Sequence, residues 1–171
     1  PADAMYKVYT QMVNNQQLAE ASEIMGGLIE NKQASMVLYR ELFAKSDLKG
    51  SLNFSKSGGL VLTLSPRNKD INALRYFKGA QFHSIILAGL PIYDLSPLRD
   101  LRIYHLDISG TKVMQLDYLR GTQIKSLNCA NSKVMSIDAL RGMQLKSLNL
   151  SACPVKSLSP LREISLESID L

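Results

Sequence analysis

From residue 61 to residue 171, apolar positions return with a spacing of 21. Phe82, Ile103, Ile124, Leu145 and Leu166 each stand 21 residues after the one before. Three copies keep the same apolar offsets. The first reads Ile103, Leu106, Ile108, Val113, Leu116, Leu119; the second Ile124, Leu127, Cys129, Val134, Ile137, Leu140; the third Leu145, Leu148, Leu150, Val155, Leu158, Leu161. A worn copy begins at Val61 and continues through Leu64, Ile71, Leu74 and Phe77. In Leu148-Asn149-Leu150 the alternation has period two, which predicts a strand with one buried face. One strand per coil cannot bury that face alone, so successive coils must stack and join their strands into a parallel sheet. Neighbouring strands then lie about 4.8 Å apart, and equivalent side chains form columns.

The other half of each coil is a return path. Ser96-Pro97 and Ser159-Pro160 place a serine suited to an N-cap before a proline suited to the first helical position. Asp117 and Asp138 stand in the same phase and cap equally well. Each cap precedes only Leu-Arg-Gly or a relative of it, which predicts one tight 3₁₀ turn rather than a full helix.

The offsets L-x-x-L-x-L-x-x-T/S/C-x-V-x-x-L-x-x-L resemble the leucine-rich repeat, over roughly two thirds of the chain. The stretches LSPLRDL, LDISGTKV, IDALRGMQLKSLNLS and VKSLSPLREI are similar to repeats of bacterial proteins that attach them to serine/threonine kinase-like domains, or that stand alone. No kinase motif is present in these 171 residues. The resemblance implies an α+β repeat solenoid, with a parallel β-sheet on the concave side and short 3₁₀ segments on the convex side. It also implies a non-catalytic module that senses or scaffolds within a larger bacterial regulatory protein. The same resemblance points outside the cytoplasm, which the residues themselves leave open.

Residues 1–50 lack the repeat. Met5, Val8, Tyr9 and Met12 fall at helical spacing, as do Leu18, Ala21, Met25 and Leu28; Ala34 to Ala44 carries Val37, Leu38, Leu42 and Phe43. These predict three short helices, the first two faintly like a tetratricopeptide hairpin without its signature residues. Ser51 to Ser55 and Leu60 to Leu64 flank Lys56-Ser57-Gly58-Gly59 and predict a β-hairpin. Residues 1–50 are thus expected to be a helical cap, 51–60 a hairpin completing it, and 61–171 the solenoid of about five repeats, the last incomplete. Residue 1 is proline, so the lack of a leader peptide is uninformative. The pattern breaks off at Ile169-Asp170-Leu171 within a further repeat. This leads to the expectation that more repeats follow or that the C-terminal edge strand self-associates.

Charge is uneven along the chain. Residues 1–50 carry a balance of −1 and residues 51–171 one of +6. Lys78, Arg99, Arg120, Arg141 and Arg162 are spaced by 21 and predict a basic ladder on the turn side. Nucleic-acid or polyanion binding along this ladder is the alternative function. Aromatic residues are only 6% of the chain, too few for the stacking platforms such binding uses. No apolar run reaches 18 residues, so no membrane span is expected.

The remaining chemistry is sparse. Cys129 replaces a core leucine, and Cys153 shares a phase with Thr111 and Ser132, where such repeats usually carry asparagine. The two cysteines are one coil apart and three residues out of phase, roughly 10 Å along a strand, beyond the reach of a disulfide. Both are expected as free buried thiols. His83 and His105 differ by one position in phase and are not expected to stack. No third ligand joins them, so neither metal nor cofactor is expected, and no catalytic set appears.

The exposed strand face is the candidate surface. Ile86, Asp107, Asn128, Asn149 and Asp170 form one expected column and Ser84, His105, Ser126, Ser147 and Ser168 the next. His83, Tyr104, Lys125, Lys146 and Glu167 form the rim. The expected function is protein or peptide binding through Tyr104, His105, Asp107, Lys125, Asn128, Lys146 and Asn149, with the densest patch at Tyr104, His105 and Asp107.

Overall fold

The computed structural model describes residues 11–12, 32–56 and 59–171. Among the described residues, the helix α1 (Lys32–Lys45) leads into seven strands: β1 (Gly50–Phe54), β2 (Leu60–Leu64), β3 (Gln81–Ile86), β4 (Arg102–Asp107), β5 (Ser126–Asn128), β6 (Ser147–Asn149) and β7 (Ser168–Asp170). They form a single sheet in sequence order. β1 and β2 are an antiparallel hairpin, and every later pair is parallel. Short 3₁₀ turns at Asn72–Phe77, Ser96–Leu98, Asp117–Leu119, Asp138–Leu140 and Ser159–Leu161 return each coil. The two helices expected before α1 lie outside the described residues, apart from Gln11 and Met12, which are helical.

The apolar offsets face inward as their period requires. Ile103, Leu106, Ile108, Val113, Leu116 and Leu119 are buried, as are their equivalents from Ile124 to Leu140. At the N-terminal end, Tyr39 and Leu42 of α1 are buried against the same core. The Tyr39 ring stacks on Phe77 at 6.2 Å, and Phe77 meets Phe82 edge to face at 6.0 Å. Burial raises the Tyr39 phenol pKa to about 12, and among the described residues its hydroxyl has no hydrogen-bond partner.

The register departs from expectation in the first coil. Leu60, not Val61, pairs with Phe82, and Leu62, not Leu64, pairs with Ile85. β2 is a strand of strict period two, with Leu60, Leu62 and Leu64 buried and Val61 half-buried, because it is half of a hairpin as well as the first rung of the parallel sheet. The L-x-x-L step begins only at β3, so the ladder slips there: Leu60 pairs with Phe82 but Val61 with Ser84, leaving His83 as the extra residue. Gly59 lies against this bulge. A Cβ on Gly59 would come within 2.7 Å of the His83 Cβ. Phase is recovered at Ile71, Leu74 and Phe77, all buried.

The bend after each strand is set by left-handed backbone at Gly89, Gly110, Asn131 and Ala152, which share one phase. Beside it, Thr111 and Ser132 are buried. The Thr111 hydroxyl donates to the Ile108 carbonyl at 2.7 Å, and the Cys153 thiol donates to the Cys129 carbonyl at 2.9 Å. These groups do the work expected of an asparagine at this phase, satisfying backbone carbonyls inside the bend. Both cysteines are free, but only Cys129 is buried; Cys153 is half-exposed.

The turn caps also differ from expectation. Ser96, Asp117, Asp138 and Ser159 are the first residues of their turns rather than the caps. The capping oxygens come from two positions upstream in three of the four. Asp94 Oδ1 accepts from the Ser96 amide at 2.8 Å, and the Ser136 and Ser157 hydroxyls accept from the Asp138 and Ser159 amides, each at 3.2 Å.

Candidate functional site

β3 and β4 each present six residues to the sheet, whereas β5, β6 and β7 present three. Pairing sets Ser84 beside His105, Ser126, Ser147 and Ser168, and Ile86 beside Asp107, Asn128, Asn149 and Asp170. The rim continues this register through backbone bonds from Lys125 N to Tyr104 O, Lys146 N to Lys125 O, and Glu167 N to Lys146 O. The expected columns are therefore adjacent in space.

Three rings gather where the long strands lie. His83 and Tyr104 are nearly parallel, 5° apart in plane and 6.1 Å between centroids. His105 meets both edge to face, 4.9 Å from His83 and 4.8 Å from Tyr104. The two histidines are thus in ring contact, which their phase difference obscured: neighbouring positions on adjacent strands bring side chains together when the backbone bulges at His83. His105 has its pKa lowered, first by burial and then by the charge of His83. Tyr104 keeps about half its surface exposed, at 49%.

The Asp/Asn column has a structural role that counting positions did not show. Asp107 Oδ1 accepts from the Ser109 amide at 2.8 Å, Asn128 Oδ1 from Ala130 at 3.1 Å, and Asn149 Oδ1 from Ser151 at 2.9 Å. Each side chain folds onto the backbone two residues ahead and closes the strand end as an Asx turn. On the rim, Lys125 Nζ donates to Gln144 Oε1 at 2.8 Å, and Lys146 Nζ pairs with Glu167 Oε1 at 2.8 Å. That Glu167 hydrogen bond raises the Lys146 pKa. At the start of β3 and β4, a shallow groove of about 420 Å³ is lined by Gln81, Phe82, Arg102, Ile103, Tyr104 and Gln123. The column Gln81, Arg102, Gln123 is spaced by 21 in the sequence, but its members differ in type and carry no shared chemical signal.

The basic ladder is exposed throughout but not uniform. Arg120 pairs with Asp117 at 3.2 Å and Arg141 with Asp138 at 3.8 Å, both within one turn. Their backbones turn extended before Gly121 and Gly142, with ψ of 125° and 127°. Arg99 and Arg162 follow Ser-Pro turns and remain helical, with ψ of −42° and −33°. Lys78 is exposed at the end of the first turn. The five residues share a phase but leave the turns by two different routes.

Stacked 21-residue coils, one parallel strand and one 3₁₀ turn per coil, and an internal ladder of polar groups at the bend define a leucine-rich-repeat solenoid. Among solved structures, the chain is similar to internalin C2 from Listeria monocytogenes, with 24% identity and a TM-score of 0.54, over 60% of this chain and 46% of that one. Internalin F from the same organism aligns with 19% identity and a TM-score of 0.43, over 60% of this chain and 44% of that one. The matched region therefore spans less than half the length of either internalin structure. No protein-family model and no curated protein matches the chain. Among the described residues, no helix is long and apolar enough to cross a membrane, and no three His, Cys, Asp or Glu side chains are grouped to hold a metal ion.

Proposed function

We propose that the chain is a non-catalytic module that binds a protein or peptide across the outer face of its sheet, as the sensing or scaffolding part of a regulatory protein. The observation that carries this is the cluster of His83, Tyr104 and His105, with Tyr104 about half exposed, standing on the two longest parallel strands. Aromatic side chains on a rigid scaffold supply large contact area at low entropic cost. Tyr104, His105, Lys125 and Lys146 are the contact residues of this reading. Asp107, Asn128 and Asn149 hold the strand ends and keep their remaining polar atoms for a partner.

Recognition along the turn side is the weaker reading, because Asp117 and Asp138 partly neutralise the central arginines of the ladder. Peptides selected from a displayed random library on the folded chain separate the two. Calorimetry should show binding weakened by tenfold or more in Tyr104→Ala, on the scale of an interface anchor, and unchanged in Arg120→Glu with Arg141→Glu. Binding that follows the arginines and falls steeply with salt would favour the polyanion reading instead.

A further inference from the structure

The groove at the start of β3 and β4 has a composition of its own. Its floor is Phe82 and Ile103, both buried in the core. Its walls are the exposed side chains of Gln81, Arg102 and Gln123 and the ring of Tyr104. It contains one charge, Arg102, and no acidic residue lines it. Among the described residues Arg102 has no ion-pair partner. The other cations on this face are engaged, Lys125 by Gln144 and Lys146 by Glu167.

Resting on the reading of the sheet face as a protein-binding surface, we infer that this groove takes an acidic side chain of the partner, an Asp or Glu carboxylate flanked by an apolar or aromatic residue. A guanidinium presents paired N–H donors that match a carboxylate in two-point geometry. Gln81 pairs with Arg102 across β3 and β4, and Gln123 holds the equivalent position in the next coil, ahead of β5; their amides supply neutral donors and acceptors on both sides. The Tyr104 ring covers the flanking residue.

The probes are two acetylated and amidated dipeptides, Phe-Glu and its neutral isostere Phe-Gln, titrated into the ¹⁵N-labelled chain. Phe-Glu should perturb the Arg102, Tyr104, Gln81 and Gln123 resonances and bind about fivefold tighter than Phe-Gln, as a semi-exposed carboxylate pair allows. The preference should shrink with added salt and vanish in Arg102→Gln, whose substituted side chain is solvent-exposed and leaves the core intact. Equal binding of the two probes, perturbations away from the groove, no response at millimolar probe, or a preference that survives Arg102→Gln would each overturn the assignment. Selected peptides that need Tyr104 but show no acid preference would sink this inference alone. Carboxylate binding in the groove without any peptide binding would sink the wider reading alone.

Discussion

Leu148 and Leu158 are both leucines of the same repeat, yet they differ tenfold or more in exposure, at 1% and 42%. Leu148 lies between β5 and β7, with Leu127 and Ile169 as its ladder neighbours. Leu148→Ala should cost about 2–5 kcal/mol in urea unfolding and Leu158→Ala well under half of that. Similar costs at the two sites would contradict the stacking described. The thiols separate in the same way. Burial, followed by the proximity of Cys153 and Asp107, pushes the Cys129 thiol pKa up, so its thiolate is scarce. In the native chain a thiol reagent should modify Cys153 first and Cys129 only as the chain unfolds; fast native labelling of Cys129, read by mass spectrometry, would refute this. The period of 21 made both residues legible as free, because each already has a place in the repeat, Cys129 in the core and Cys153 at the bend. It did not show that Cys153 is half-exposed, since exposure there depends on how much of the next coil covers the bend. Nor could it show that Asn128 and Asn149 turn back onto their own backbone, because an outward position and an Asx turn look alike in sequence.

Among the elements, three of the 3₁₀ turns are capped from outside their own first residue. Ser and Asp occupy both the position that caps and the first position of the turn, so composition alone does not choose between Asp94 and Ser96. The hydrogen bonds do: Asp94 accepts from the Ser96 amide through Oδ1 and from the Ser96 hydroxyl through Oδ2, at 2.8 and 2.7 Å. Asp94→Ala should therefore lower stability by about 0.5–2 kcal/mol, the range for a lost cap, and Ser96→Ala by less. Thermal unfolding showing the reverse order would return the cap to Ser96. The slip between β2 and β3 was hidden for a related reason. Val61 and Leu60 are both apolar, and only pairing with β1 decides which faces the core. The strands β3 to β7 were legible because every coil repeats the same choice.

Across the whole molecule, burial falls from the centre toward the last coil. Residues of β3 and β4 bury Phe82, Ile85, Ile103 and Leu106 almost completely, whereas Ile169 and Leu171 are 42% and 67% exposed. In a solenoid each coil is held only by its neighbours, so local opening should follow this gradient. Native hydrogen exchange should be slowest for the amides of β3 to β5 and fastest for β7 and the turn Ser159–Leu161. Uniform protection along the array would mean that the coils open as one unit.

Recognition through the sheet face requires that a bound selected peptide leave its footprint there. Backbone amide shifts on saturation should cluster at His83 to Ile86, Tyr104 to Asp107, Lys125 to Asn128 and Lys146 to Asn149. The residues of the turns, Arg120 and Arg141 among them, should stay still. A footprint centred on those turns, with the strand amides unmoved, would contradict it.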